Sequence, residues 1–245
     1  MGLRTELKQL LRRCGYDLIK VPKVNIGANP FDDMQRFTKS VDEPVIFDVG
    51  ANVGQSVSRF IKYFPSASMH SFEPSPSTFE KLELHCRTFP RVTAWNYGVG
   101  ASNTTLTFHE NNYSDMSSFL APSTTSWGQI VRRTDVPVVT LDTFAKDHNI
   151  NFIHILKSDT QGFDYEVFKG ASQLMDENRI ALIYFEIIFS NMYENLPQFH
   201  EVLQYLEEKN FDLVTFYKSN FQNELVSWTD ALFINRAYNK TREVT

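Results

Sequence analysis

Apolar positions follow two different spacings from residue 44 onward. Short apolar runs, typical of buried β-strands, alternate with segments in which apolar residues recur at the spacing of an amphipathic helix. The predicted strands are 45–49, 67–72, 92–97, 136–141, 152–156 and 180–185. The predicted helices are 55–64, 75–89, 141–148, 163–175 and 197–209. Strands and helices in alternation predict an α/β domain with a mostly parallel sheet.

The segment before residue 44 has a different pattern. Leucines on one side of residues 3–18 and basic residues on the other sides predict an amphipathic helix. We expect this helix to pack on the domain rather than on a membrane, because its apolar face is short. Residues 21–41 are interpreted as a connector, since Pro22, Gly27 and Pro30 interrupt any regular pattern.

An insertion and the C-terminal end also depart from the alternation. Residues 104–110 and 116–120 are interpreted as a hairpin within an insertion at 101–135, which is either a lid or substrate platform or a decoration. Strands at 211–217 and 231–235 suit a terminal antiparallel pair. We divide the chain into an N-terminal helix and connector, one α/β domain and a frayed polar tail, at residues 1–43, 44–236 and 237–245.

Composition narrows the class of protein. The 245 residues suit one α/β domain with local additions, and the net charge of -5 argues against nucleic-acid binding, which needs a basic face. Cys14 and Cys86 are interpreted as free thiols of a reducing compartment, since the N-terminus lacks the apolar core of a secretory signal. The apolar run at 181–189 is too short to span a membrane and contains Glu186. We therefore expect a cytoplasmic protein without stable membrane insertion.

Residues 45–54, with the sequence VIFDVGANVG, form the clearest chemical motif. Gly50 and Gly54 predict a tight turn between a strand and a helix, across which a small ligand can lie. A purely structural turn would have the same glycines. The spacing differs from the Gly-x-Gly-x-x-Gly dinucleotide fingerprint, and Asp48 just before the turn would repel a pyrophosphate. A carboxylate there would suit a ligand with ammonium and sulfonium groups, such as S-adenosylmethionine.

Acidic residues follow four of the predicted parallel strands, namely Asp48, Glu73, Asp159 and Glu186. Ligands of open α/β sheets bind beyond the carboxyl ends of the strands, so these acids are candidate site residues. Glu73 lies roughly 20 to 25 residues after the glycine turn, where such folds place an acid that accepts hydrogen bonds from ribose hydroxyls. Further candidate cofactor-binding residues are Asn52 in the turn and Asn96 and Gly98 at the end of the third strand.

Three ordered motifs carry a family resemblance. They are 48–54 (DVGANVG), 72–75 (FEPS) and 156–171 (LKSDTQGFDYEVFKGA), and 138–142 (VVTLD) also fits. They resemble the cofactor turn, the ribose-binding segment and the Lys-x-Asp-x-Glu-Gly-x-Glu segment, ending in Lys-Gly-Ala, of the FkbM family of S-adenosylmethionine-dependent methyltransferases. That family methylates hydroxyl oxygens, often of sugars or macrolides.

The resemblance, which covers about residues 44–188, implies a fold, a cofactor and an activity. The implied fold is a Rossmann-like class I methyltransferase: a mostly parallel seven-stranded sheet with a terminal antiparallel strand, here with an N-terminal helix and a hairpin insertion after the third strand. The implied cofactor is S-adenosylmethionine. Gln161 stands where the family usually has Glu, and Asp164 where it has a second Glu. Because of these departures, we predict no metal site.

Methyl transfer to a hydroxyl group requires a base that takes the proton as the new bond forms. We predict Asp159 as this base, with Lys157 two residues earlier on the same strand face keeping it ionised. Glu186 and His109 are the alternatives, and His109 has a suitable intrinsic pKa. His154, inside its strand, is interpreted as a core residue.

The acceptor side of the site is less defined by the sequence. An aromatic and partly basic wall, suited to a sugar face or an anionic group, is predicted from Phe108, Tyr113, Trp127 and Arg132-Arg133. We predict an O-methyltransferase acting on a hydroxylated small molecule, such as a sugar, glycoside or related natural product. Two alternatives stay open: an NAD-dependent oxidoreductase, because Glu73 could bind an NAD ribose, and a non-catalytic cofactor-binding module, because of Gln161. The oligomeric state is also open.

Overall fold

A computed structural model of the chain describes residues 3–16 and 25–243. Residues 17–24 lie outside this description, and with them part of the predicted first helix and connector. The strands are β1 (Val45–Val49), β2 (Ser68–Phe72), β3 (Val92–Trp95), β4 (Gly98–Val99), β5 (Thr104–Asn111), β6 (Ile130–Val139), β7 (Ile153–Ser158), β8 (Ile180–Ile188), β9 (Phe211–Phe216), β10 (Asn220–Gln222) and β11 (Leu225–Asn235). The helices are α1 (Leu3–Arg13), α2 (Pro30–Phe37), α3 (Gln55–Tyr63), α4 (Pro76–Cys86), α5 (Leu141–Asp147), α6 (Asp164–Lys169), α7 (Ser172–Asp176), α8 (Phe199–Glu208) and α9 (Arg236–Glu243).

The main sheet has eight strands. Its order is β3-β2-β1-β7-β8-β11, with β9 and β10 following one another along the outer edge of β11. Strands β3 to β8 in this order are parallel, and β11 is antiparallel to its neighbours. The mostly parallel sheet with an antiparallel end is confirmed, although the sheet has eight strands where seven were predicted. The chain adds β2 and β3 on one side of β1, and later adds β7 and β8 on its other side. The boundary between β1 and β7 is therefore the switch point, where α/β sheets bind ligands.

Helices cover both faces of the main sheet. Neighbouring residues of a strand point to opposite faces, so Phe47 joins one core cluster, together with Phe144, and Ile46 joins the other, together with Phe60. All four side chains are almost fully buried. Among the helices that the structure describes, none is long and apolar enough to cross a membrane.

The predicted hairpin insertion is wrong in its pairing. Strand β5 pairs antiparallel with β6, and β4 pairs parallel with β6, so residues 98–139 form a separate three-stranded sheet. The expected partner at 116–120 makes only an isolated bridge between Ser118 and His109. A 3₁₀ helix at Ser114–Met116 interrupts that return, whereas residues 130–139 are rich in the β-branched residues that favour strands.

Two helices lie where the sequence predicts irregular structure. Helix α2 occupies the predicted connector, because Pro30 stands at its start, where a missing N–H costs no intrahelical bond, and Asn29 Oδ1 caps the N–H of Phe31. Helix α9 replaces the expected frayed tail. Asn235 Oδ1 accepts hydrogen bonds from the first turn of α9, and the Tyr238 hydroxyl donates to the Phe37 carbonyl oxygen at 3.0 Å.

The predicted helix at 163–175 is divided into α6 and α7. The break falls at Gly170, where a Cβ would lie 2.1 Å from the carbonyl oxygen of Gly100. The small sheet therefore packs backbone against backbone on this helix pair, and only glycine leaves enough room.

Candidate active site

A cavity of about 440 Å³ opens at the carboxyl ends of β1 and β7. Of the predicted site residues, it is lined by Gly50, Asn52, Glu73, Gly98, Asp159 and Glu186. The predicted residues outside its lining are Asp48, Gly54, Asn96, Lys157 and His109. The structure thus brings both proposed halves of the site, the cofactor side and the proton-transfer side, to one cavity.

The glycine turn has a structural cause as well as a place in the cavity. Gly50 has a φ of +75°, and a Cβ there would lie 2.0 Å from the Asp159 carbonyl oxygen at the end of β7. Gly54 has a φ of +96°, and its Cβ would meet the His85 ring at 2.6 Å. Both positions require glycine, but only Gly50 faces the cavity.

Asp48 and Lys157 form a buried ion pair behind the cavity. Lys157 Nζ lies 2.9 Å from Asp48 Oδ1, and the hydroxyl of Ser56 donates to Asp48 Oδ2 at 2.5 Å. Burial lowers the pKa of Lys157, but the Asp48 and Asp159 carboxylates raise it more, so the ammonium stays charged. The charge of Asp48 is thus compensated within the protein. It does not face a ligand, and the argument that it selects a cationic cofactor is wrong.

Lys157 also ties the strand ends together. Its ammonium donates to the carbonyl oxygens of Gly50 at 2.9 Å and Val49 at 3.4 Å, and it lies 3.7 Å from Asp159 Oδ2. Since these groups use its donors, Lys157 holds β1 and β7 in register rather than entering the cavity.

Both carboxylate oxygens of Glu73 accept hydrogen bonds from backbone N–H groups. The N–H of Asn52 donates to Oε2 at 3.0 Å, and the N–H of Ser75 donates to Oε1 at 2.9 Å. Burial raises the pKa of Glu73 to about 7, against these two hydrogen bonds and the charge of Lys157. Each oxygen keeps a lone pair for one more donor, as recognition of a ribose diol requires.

Asparagine side chains on either side of Glu73 differ in role. Asn96 Nδ2 donates to the carbonyl oxygens of Glu73 and Pro74, at 2.8 and 3.1 Å, and so orients this segment from outside the cavity. Asn52 lines the cavity in a left-handed conformation, with a φ of +49°. Its buried Oδ1 has no protein partner. An orphaned acceptor beside a carboxylate with free lone pairs fits a ligand that brings several hydrogen-bond donors.

Gln161 joins the two acids on the other side of the cavity. Its Nε2 donates to Asp159 Oδ1 at 3.2 Å and to Glu186 Oε2 at 2.9 Å, while the Tyr193 hydroxyl donates to its Oε1 at 2.9 Å. Burial, and then the charge of Asp159, raise the pKa of Glu186 to about 9. This shift favours the protonated form of Glu186, whereas Asp159 lies beside the ammonium of Lys157.

Asp164, the second departure from the family pattern, supports the turn that presents Asp159. Its Oδ1 accepts hydrogen bonds from the Ser158 hydroxyl at 2.5 Å and the Thr160 N–H at 3.2 Å. Burial raises its pKa to about 6. A carboxylate at this position thus has a structural use.

The two histidines considered from the sequence both lie away from the cavity. His109 is on β5, opposite Arg133, and burial followed by the charge of Arg133 lowers its pKa. His154 accepts a hydrogen bond from the Val45 N–H at 2.9 Å, as suits a core residue. Within residues 3–16 and 25–243, no group of three or more His, Cys, Asp or Glu side chains is placed to hold a metal ion.

Aromatic side chains form the outer wall of the cavity. The predicted residues Phe108, Tyr113 and Trp127 line it, but Arg132 and Arg133 do not. Trp228 lies across from Trp127, with ring centroids 5.9 Å apart and the planes nearly perpendicular.

Two residues at the site, Tyr193 and Trp228, were not predicted from the sequence, for different reasons. Tyr193 comes shortly after β8, where the rule that finds Glu186 could have found it. Trp228 belongs to an antiparallel strand, and it reaches the site only because β11 runs back beside β8, opposite Ile188.

A switch-point cavity between β1 and β7, with a glycine turn and a buried acid at the end of β2, is the arrangement of nucleoside-binding α/β folds, and class I S-adenosylmethionine-dependent methyltransferases are one class of them. Within that class, the family model described as Methyltransferase FkbM domain matches residues 48–213, and the chain belongs to this family. The chain is therefore a methyltransferase with S-adenosylmethionine as its cofactor, and the oxidoreductase alternative is set aside.

Known relatives are distant. The chain is 23% identical to the 2-O-methyltransferase NoeI of Sinorhizobium fredii over 195 residues, which cover 75% of this chain and 79% of that protein. It is 22% identical to the hexuronic acid methyltransferase AglP of Haloferax volcanii over 143 residues, 58% of this chain and 56% of that protein. Among solved structures, the METTL16 methyltransferase domain aligns with a TM-score of 0.51 at 10% identity, covering 95% of this chain and 79% of that one. The last match shows the fold alone.

Proposed function

We propose that this methyltransferase acts on oxygen, and that its acceptor is a hydroxyl group of a sugar or glycoside. The observation that carries the proposal is the placement of Asp159, a half-exposed carboxylate, in the same cavity as Glu73. The cavity therefore contains one acid that can bind the cofactor, Glu73, and one that can take a proton from the acceptor, Asp159.

Glu73 and Asn52 would hold the cofactor. Glu73 would accept hydrogen bonds from the ribose hydroxyls, and Asn52 and Gly50 line the cavity beside it. S-adenosylmethionine supplies an electrophilic methyl group. These residues fix its place but take no part in proton transfer.

Asp159 would act as the general base. Its carboxylate accepts the proton of the acceptor hydroxyl as the oxygen forms its bond to carbon, and Lys157 and Gln161 hold that carboxylate in place. Glu186, which keeps its own proton, orients the acceptor through a hydrogen bond. Glu186 would be the alternative base where the pH is high enough to ionise it, and His109 is the weaker alternative because it lies outside the cavity lining.

The sugar assignment rests on the aromatic wall and the relatives. Trp127 and Trp228 offer apolar surfaces to the C–H face of a sugar ring, and the polar groups of the inner cavity suit its hydroxyls. The names of two relatives, a 2-O-methyltransferase and a hexuronic acid methyltransferase, favour the same substrate class. A small-molecule acceptor, rather than a nucleic acid, suits the acidic lining.

Methyl transfer to a panel of glycosides, followed by mass spectrometry of the product, tests the proposal. We expect an O-methylated sugar. Asp159→Asn should keep cofactor binding in calorimetry while losing turnover, and Glu73→Ala should lose the binding itself.

Three results would count against parts of the proposal. Methylation at nitrogen or carbon would refute the assignment to oxygen. Cofactor binding without transfer to any member of the panel would favour a non-catalytic module. Full activity of Asp159→Asn would move the role of base to Glu186.

A further inference from the structure

We propose that the acceptor is an uncharged sugar and that Asp115 is a specificity-determining residue that disfavours anionic acceptors. The inference rests on the proposed function and narrows its substrate class. It reverses the expectation from the sequence that a basic wall would suit an anionic group.

All the ionisable side chains that line the cavity, apart from the tyrosines, are acids. They are Glu73, Asp115, Asp159 and Glu186. Among the lining residues that the structure describes, none is Lys, Arg or His. A negatively charged group on the acceptor would lose water and meet no cationic side chain of the lining in return.

The candidate cations considered from the sequence all lie outside the cavity lining. Lys157 is buried behind the cavity and paired with Asp48 at 2.9 Å. Arg132 and Arg133 lie on β6, opposite Glu110 and His109 in the ladder, outside the lining. A carboxylate or phosphate on the acceptor therefore has no salt-bridge partner among the described side chains that line the cavity.

The acids of the inner cavity are suited to neutral hydroxyls. Burial raises the pKa of Glu186, which favours a protonated carboxyl that can donate to a sugar oxygen, while the half-exposed Asp159 can accept from a hydroxyl. Such a donor and acceptor pair recognises a polyol without requiring charge on it.

Asp115 differs from the other lining acids because it is free for a ligand. It lies in the 3₁₀ helix Ser114–Met116, directly after Tyr113 of the aromatic wall, and it lines the cavity and is exposed. In the part of the chain that the structure describes, no hydrogen bond or ion pair holds its carboxylate. Its negative charge is therefore available to repel an anionic acceptor, and replacement by asparagine disturbs no internal contact.

The test compares three acceptors with the same ring: a neutral methyl glycoside, the corresponding uronate, and the methyl ester of that uronate. We expect kcat/KM to be at least about tenfold lower for the uronate than for the neutral glycoside, because the carboxylates of Asp115 and Asp159 repel a third negative charge in the same cavity. The ester, which has the bulk of the uronate without its charge, should recover most of the difference.

Two variants assign the effect to Asp115. Asp115→Asn should reduce the ratio of neutral to anionic kcat/KM by at least about threefold, as expected when one charge is removed at a partly screened distance. Asp147→Asn, which removes an exposed charge on α5 outside the cavity lining, should leave the ratio unchanged.

Each outcome has a definite meaning. A uronate used as well as the neutral glycoside would overturn the proposal, and equal rejection of the ester would show that size rather than charge decides. An unchanged ratio in Asp115→Asn would refute the role of that residue. Failure of the wild-type protein to methylate any of the three would instead count against the proposed function.

Discussion

Replacing Lys157 with methionine tests whether this residue is part of the scaffold. Methionine keeps most of the apolar stem but removes the ammonium that lies 2.9 Å from Asp48. Asp48 is fully buried, so the variant leaves a carboxylate with the Ser56 hydroxyl and no cation. The hydrogen bonds from Lys157 to the carbonyl oxygens of Val49 and Gly50 are lost as well.

The structure sets the size of the expected effect. Breaking a buried ion pair from one side costs about 3–5 kcal/mol, because the remaining charge is uncompensated. A domain of this kind has a free energy of unfolding of about 5–15 kcal/mol, so the loss would be a large part of it.

Urea unfolding followed by circular dichroism measures this loss directly. The double variant Asp48→Asn/Lys157→Met should recover much of the stability, because it removes both charges. Lys169→Met is the matched control: the ion pair of Lys169 with Glu166 is partly exposed, and its removal should cost at most about 1 kcal/mol. A loss in Lys157→Met no larger than that of Lys169→Met would refute the reasoning and return Lys157 to the list of catalytic candidates.

Three further predictions concern the cavity itself. Gln161→Glu places a third carboxyl group beside Asp159 and Glu186, so the acid limb of the pH profile of kcat/KM should move upward by about one unit or more. An unmoved profile would contradict the network. The affinity for S-adenosylmethionine, measured by calorimetry, should rise as the pH is raised through about 7, because the ionised Glu73 is the better acceptor. Glu73→Gln should remove this dependence. Gly50→Ala should lower the free energy of unfolding by about 2 kcal/mol or more in urea titration, since its φ is +75° and a Cβ would meet backbone.

The sequence was informative about the main sheet because buried parallel strands have a strong local signal. Each is a short apolar run followed by a turn, and each reaches the core regardless of its neighbours. The small sheet lacks this signal. Strand β5 is half exposed, so its apolar pattern is compatible with more than one partner strand. Its pairing with β6 rather than with residues 116–120 depends on contacts across the whole insertion.

Which charged side chains form ion pairs with one another was harder to predict than where those side chains lie. The rule that ligands bind at the carboxyl ends of strands placed Asp48, Lys157 and Asp159 in the correct region. It could not decide that Lys157 lies at 2.9 Å from Asp48 and at 3.7 Å from Asp159, because that choice depends on the register between β1 and β7, in which Asp48 is opposite Lys157. Side chains at equal positions along neighbouring strands are the ones that meet.

The four acids at the strand ends show why position alone does not define a chemical role. Asp48 is neutralised by Lys157, so it stabilises the sheet. Glu73 is held by two backbone N–H groups, which leave its outer lone pairs for a ligand. Asp159 and Glu186 share one amide from Gln161, but only Asp159 lies near an ammonium group, and Glu186 keeps its proton. The same residue type at equivalent strand ends thus gives a structural anion, a ligand acceptor, a candidate base and a proton donor, because each acid has a different neighbour.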